Sequence, residues 1–523
     1  MSQENQPAFN LLDEPWIPIR TLAGDVRDVS LTQVLLNADQ FSALAETSPP
    51  NLVALHRILL AVLHRALTTH HGPWKDADRA RWYREGLPEA PIRTYLEQWR
   101  ERFWLFHPEQ PFMQVAALAD APETQDKLKP WTQICLEGAS GNAPVVFDHA
   151  LDDRPSEIPP ALACRNLLGA LQFTPGGLVK TLRDSDKAGP LANTAAVIPT
   201  GRTLAETLLA GLHPSSAKGI DDLPSWERSP PGIPALLAAA RPASGPNDRY
   251  TRLTRAVLLV PQGDERHVRH LRFAAGIALE EDPNAPDPMA CYRVTKEGKA
   301  IRVSFSEGRS FWRELPALVP DPSGKFNQPA TILMWATNLH ERLGQLETNV
   351  PLVVAGLASD QAKLLRWRSE RFDLPLTMLA DPDAAAELRA QIREVEAVFF
   401  RLRAICAEMI AESMPDPNHK DTKARAKAIL DRGPTAAVFF SAAERALPNL
   451  MQRIAAGDIE GAHQHWRETL KTAAQRAWTA TYRVLGDSPR ALRAEARAHA
   501  DFRRLLRSLE QPDTATIPEE ANA

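Results

Sequence analysis

The chain of 523 residues is poor in cysteine: four stand alone at Cys135, Cys164, Cys291 and Cys406, with no CxxC among them. That excludes a dense disulfide framework and the usual thiolate zinc site, and it fits a reducing cytosol. Glycine is scarcer than proline, 25 against 44, so loops are expected to be fixed rather than loose. No uninterrupted apolar run reaches the ~20 residues that a bilayer span needs. The start, MSQENQPAFN, lacks the basic-then-apolar pattern of a secretion signal. A cytoplasmic protein with no membrane partner is the expectation. GxxxxGK[ST], strand-linked GxGxxG, HExxH and GxSxG are all missing, which removes the common phosphate cradles, the zincins and the hydrolase elbow. Net charge is −4, so nucleic acid can be held only by local patches.

The remaining titratable groups form no catalytic constellation. His56 and His64 share one apolar helical stretch and read as packing residues. In RHVRH, residues 266–270, strand alternation puts the two histidines on opposite faces. Asp152-Asp153, Glu280-Glu281 and Glu370 with Asp373 have no nucleophile or metal partner beside them and read as solvated faces and turns. Trp16, Trp131, Trp226 and Trp312 sit at loop signals, as anchors of loops onto a core. No catalytic residue, cofactor or metal is expected.

What is present falls into two textures. Up to about residue 375, short strand-like runs (145–147, 256–260, 301–305, 352–354) alternate with helical patterns such as 51–67 and 329–346. In LASDQAK, residues 357–363, glycine before and Ser-Asp within predict a turn with a helix cap, presenting Gln361 beside alanine. From Asp381 the pattern is helical throughout: an Asp-Pro start and a run of about eight turns, then three further helical stretches. The predicted class is α+β, with a mixed domain over 1–378 and a C-terminal four-helix bundle with an acidic tail over 379–523.

Basic residues cluster late. From residue 465 to 508 there are ten Lys/Arg against four acids, a local +6. Arg490, Arg493, Arg497 and Arg504 recur at three-, four- and seven-residue steps, one stripe of a helix that is either solvated or laid along a phosphate backbone. A second set, Arg249, Arg252, Arg255, Arg266, Arg269 and Arg272, flanks the 256–260 strand. Two loops offer close approach: 136–153, with glycines, Phe147 and His149, and Thr174-Pro175-Gly176-Gly177, followed by Lys180 and Arg183.

FNLLDEPWIPIRTLAGDVRDVSL (9–31) resembles the opening of the large subunit of the type I-E CRISPR surveillance complex, the CasA family of Cascade. HPEQPFMQ (107–114), GASG with VVF (138–147), TPGG (174–177), AGLASDQAKLL (355–365) and AAERALPNL (442–450) follow in the family's order. The resemblance implies a subunit without catalysis of its own. It would recognise the PAM in double-stranded target DNA, help open the duplex for the CRISPR guide RNA, and recruit a helicase-nuclease. It also implies other Cascade subunits as partners. By the same resemblance Gly176 and Gly177 approach the PAM minor groove, Arg272 (or Arg269) is a basic finger, and Asp360, Gln361 and Ala362 form the wedge that splits base pairs. Lys180, Arg183, Arg490, Arg493 and Arg497 would meet the DNA backbone, and Phe147 with His149 would dock the subunit. Some members of the family carry paired CxxC-like cysteines around these loops; this chain has lone Cys164 and Cys291 instead, which speaks against a structural zinc. Two rival readings stay open: a scaffold that does not touch DNA, and a metal-dependent nucleic-acid enzyme.

Overall fold

A computed structural model describes residues 6–138, 154–176, 179–183, 188–215, 221–295, 297–360 and 363–510. The chain divides into two compact units, Met1–Phe311 with Ser323–Asp373, and Trp312–Pro322 with Leu374–Ala523. The predicted α+β class is found, with small sheets and helices in the first unit and helices in the second.

The first unit is built around one helix, Pro49–His71, in which every residue from Pro49 to Leu67 is buried. By length and composition it could cross a bilayer, but 89% of its apolar window is packed inside the protein. Its charge is neutralised internally: Arg57 forms an ion pair with Asp287, both fully buried, and donates to Gln172 Oε1 at 2.9 Å. A buried charge is tolerated only when paired and hydrogen-bonded in this way. The helix Pro160–Phe173 lies against it, so closely at Gly169 that a Cβ there would sit 2.2 Å from Asn51 Oδ1.

Among the described residues there are also a two-stranded sheet and four three-stranded sheets. Two matter for the site. Arg255–Gln262 pairs antiparallel with His267–Ala275, which also pairs with Lys129–Pro130. Asn349–Asp360 lies between Lys363–Pro375 and Ala195–Pro199. The helix cap expected at Ser359-Asp360 is therefore not formed: both flanking segments are long strands, separated in the chain only by residues 361–362. In Leu365-Arg366-Trp367-Arg368 apolar and basic residues alternate, a two-residue period that suits a ladder and not a helix face. The strand expected over 301–305 is also shorter, Ala300–Arg302, with Ile301 exposed. The tryptophan anchors are as expected. Trp16, Trp131, Trp226 and Trp312 are all buried, and Trp16 Nε1 donates to the Leu11 carbonyl at 2.9 Å.

The second unit holds four long helices, Pro382–Glu412, Thr435–Ala455, Ile459–Leu485 and Pro489–Ser508, with the shorter Lys420–Arg432 between the first two. Asp381 caps the first, accepting from the Asp383 N–H at 2.9 Å with Pro382 as its first residue. The half-buried Phe399 packs on the buried Phe439 and Phe440, and Trp478 stacks on Phe502 with ring centroids 4.4 Å apart. The acidic tail lies outside the described residues.

Candidate nucleic-acid interface

The helix Pro160–Phe173 ends where Pro175 follows Thr174, because the residue before proline is forced out of helical geometry. Thr174 Oγ1 donates to the Ala170 carbonyl at 2.5 Å, closing the last turn. The chain then passes Pro175 and the partly exposed Gly176; Gly177 lies outside the described residues. Just before this exit, Gln172 Nε2 donates to the Tyr250 carbonyl at 2.8 Å, and its own carbonyl accepts from Leu191 N–H at 2.8 Å. The exit is thus tied to the buried Arg57–Asp287 pair through one glutamine.

Arginines secure the chain on both sides of this exit. Arg255, 1% exposed, donates from Nη2 to the Pro175 carbonyl at 2.7 Å and from Nη1 to the Thr254 carbonyl at 3.0 Å. Burial pulls its pKa down to about 10, which still leaves it a cation at neutral pH. Arg183 donates to the carbonyls of Ala238 at 3.0 Å and Gly276 at 2.9 Å, and the Ala275 N–H donates to the Thr181 carbonyl at 3.2 Å. The chain at residues 181–183 therefore lies beside the end of the His267–Ala275 strand.

The hairpin strand Lys363–Pro375 reaches the same place. Trp367 meets Phe173 edge to face, centroids 5.5 Å apart, and its Nε1 donates to the Leu136 carbonyl at 2.8 Å. Phe173 directly precedes Thr174, and Leu136 stands close before residues 139–153. Residues that open or flank three segments singled out in the sequence thus meet at one aromatic contact within the first unit.

The individual side chains are distributed less simply. Phe147, His149, Gln361 and Ala362 fall outside the described residues, and Asp360 is placed only as the last residue of its strand. Lys180 is exposed. Arg272 is partly exposed and donates from Nη2 to the Gln125 carbonyl at 3.2 Å; Arg269 pairs with Glu157 at 2.8 Å. Of the second basic set, Arg249, Arg252 and Arg255 are buried, with Arg249 held by Glu281 and Arg252 by Asp248. They serve the core and not a surface patch. Cys164 and Cys291 are buried thiols, and burial pushes Cys291 up to about 12. Glu370, read in the sequence as solvated, accepts from the Phe311 N–H at 2.8 Å and pairs with Arg368.

In the second unit, Ala491, Ala494, Ala498, Phe502 and Leu505 form the buried face of the last helix, so Arg490, Arg493 and Arg497 stand on the exposed one. Arg497 pairs with Glu412 at 2.5 Å, Arg493 Nε donates to the Pro489 carbonyl at 3.1 Å, and Arg504 pairs with Asp501.

Sequence reasoning grouped Arg255 with other basic residues and passed over Phe173 and Trp367. The alternation around Trp367 was the available signal for the last. For Arg255, nothing local distinguishes a buried arginine from an exposed one.

Such a chain is a two-unit α+β protein whose candidate surface, among the described residues, is made of backbone and arginines. Comparison with known proteins narrows the class. Residues 10–477 match the model of the family described as CRISPR-associated protein Cse1, and the chain belongs to that family. A curated relative, CRISPR-associated protein CasA/Cse1 of Thermus thermophilus, is 37% identical over 511 residues, 96% of this chain and 98% of the relative. A solved structure of Thermus thermophilus CasA (Cse1) superposes with a TM-score of 0.82 at 34% identity, covering 96% of this chain and 100% of that one. A chain of a CRISPR RNA-guided surveillance complex shares the fold, with a TM-score of 0.72 at 22% identity, over 97% of this chain and 100% of that one.

Proposed function

We propose that this chain is the non-catalytic large subunit of a type I-E CRISPR RNA-guided surveillance complex. It recognises the PAM in double-stranded target DNA, helps separate the strands for guide RNA pairing, and recruits a helicase-nuclease. The observation that carries this reading is the convergence at Phe173–Trp367. There the helix end that leads into Thr174-Pro175-Gly176 meets the strand Lys363–Pro375 and the Leu136 carbonyl; in this reading the glycine backbone approaches the minor groove and Gln361 enters the stack. Unstacking costs about a few kcal/mol per base step, which pairing with the guide offsets. Family membership and the shared fold of a surveillance-complex chain support the same assignment.

The test is duplex binding by the guide-RNA complex with and without this chain, at one stated salt concentration. Binding of a PAM-bearing duplex is expected to need the chain, and altering the PAM is expected to remove the difference. A chain that changes nothing in this assay would overturn the reading.

The scaffold reading is favoured by one observation: Arg183, Arg269, Arg272 and Arg497 all spend hydrogen bonds or ion pairs within the chain. Gln361→Ala and Gly176→Asp separate the two, since a scaffold would keep its DNA affinity through both.

A further inference from the structure

A glycine-containing segment that presents its backbone to a ligand carries a penalty, because glycine loses more conformational freedom on ordering than any other residue. Binding through such a segment is strong only if it is fixed beforehand. The structure holds the described ends of this segment. On one side the Pro175 carbonyl accepts from Arg255 Nη2, and the Thr174 carbonyl accepts from the Gly189 N–H at 2.8 Å. On the other, Thr181 is tied to Ala275 and Arg183 to Ala238 and Gly276. Gly189 and Gly276 are required for this closeness: a Cβ would lie 2.5 Å from the Gln172 carbonyl oxygen at the first and 2.2 Å from that of Leu253 at the second.

We propose that Arg255 is a positioning residue: by holding the Pro175 carbonyl from inside the core, it fixes the backbone at Gly176 and thereby sets discrimination between PAM sequences, not affinity for DNA in general. The inference rests on the proposed role of Gly176 in PAM recognition. Arg255 touches the loop and not the DNA, and it is well suited to the task. Its rigid fork reaches Pro175 and Thr254 together, which a lysine ammonium on a flexible stem does not do in the same geometry. Arg183, on the opposite side, completes the clamp and is a loop brace before it is a phosphate contact.

The experiment uses the full chain carrying Arg255→Met, with Arg255→Lys as the conservative control. Two quantities are read: amide hydrogen exchange of residues 174–183 in the free chain, and the affinity ratio of the assembled complex for PAM-bearing and PAM-altered duplexes. Arg255→Met is expected to speed exchange in that segment while the Pro49–His71 helix keeps its protection. The affinity ratio is expected to fall roughly 10-fold, with binding to PAM-altered duplex unchanged. Arg255→Lys is expected to restore part of both. Unchanged exchange in the segment overturns the proposal, as does equal loss for both duplexes with exchange accelerated throughout the unit. If exchange rises locally but discrimination is intact, the clamp stands and the assignment of Gly176 to PAM recognition falls. Should Arg255→Met not fold, Arg255→Gln, whose shorter amide keeps a polar group in the core without the fork that spans the Pro175 and Thr254 carbonyls, carries the same expectations.

Discussion

His64 and His213 lie stacked in the first unit, ring centroids 3.6 Å apart, with Asn247 Nδ2 against His64 Nδ1 at 2.9 Å. Burial lowers the pKa of His213 to about 3, with Arg79 adding to the effect, and holds His64 well below the usual range, with His213 and Arg65 adding theirs. Burial also lowers His56, to about 4. Depressed histidines are neutral in the fold, so below an unfolded pKa of about 6.5 the unfolded chain takes up protons that the folded one refuses. Stability is lost as pH falls from there toward the folded values. Asp222, 3.8 Å from His213, opposes this: burial raises it to about 6, so it recovers some stability as it protonates below that pH. Three histidines outweigh one aspartate. Denaturant unfolding at pH 7, 6 and 5 is expected to show stability dropping by roughly 1–3 kcal/mol per pH unit below 6.5. His213→Phe keeps a ring on His64 and should flatten that slope; an unchanged slope would rule the stack out as the source.

Elements show how far local pattern reaches. The last helix was legible through its arginine stripe: Arg490, Arg493 and Arg497 recur at three- and four-residue steps, and the buried face of Ala491, Ala494, Ala498, Phe502 and Leu505 lies away from them. The Lys363–Pro375 strand was missed because turn residues before it were given a helix-capping role, whereas its partner Asn349–Asp360 supplies a ladder. The exposed face of the last helix carries its own expectation. Arg497 is already paired with Glu412, so a phosphate role falls chiefly to Arg490 and Arg493. Replacing both with glutamine should weaken binding of every duplex alike and reduce the slope of log affinity against log salt by about 0.9 for each phosphate no longer neutralised. A weakening confined to one PAM sequence would contradict a backbone role.

Across the whole molecule, the second unit draws on a segment that precedes it in the chain. Trp312–Pro322 belongs with the helices, where the Arg313 guanidinium lies 3.5 Å from the Phe440 ring centroid and donates to both Glu396 oxygens, at 2.6 and 2.7 Å. Arg389 in turn donates to the Pro320 carbonyl. Nothing in a linear reading assigns eleven residues of mixed texture to a helical unit whose main run begins at Leu374. Arg313→Ala is expected to cost this unit roughly 2 kcal/mol. The loss should appear as faster hydrogen exchange in Pro382–Glu412 and Thr435–Ala455; unchanged protection there would show that the segment contributes no stability to the helices.

The sequence by itself determined the two textures, the long helices, the buried tryptophan anchors and the family, because all four depend on spacing and residue type along the chain. It also placed the glycine segment and the arginine stripe as candidates. Only the tertiary structure decided which arginines remain available. Arg249, Arg252 and Arg255 are absorbed by the core, Arg183 by carbonyls, Arg269 by Glu157 and Arg497 by Glu412, while Arg490 stays exposed. The reason is physical. A guanidinium is satisfied by whatever oxygens the fold brings to it, and those oxygens lie up to tens of residues or more away in the chain, where no local pattern can count them.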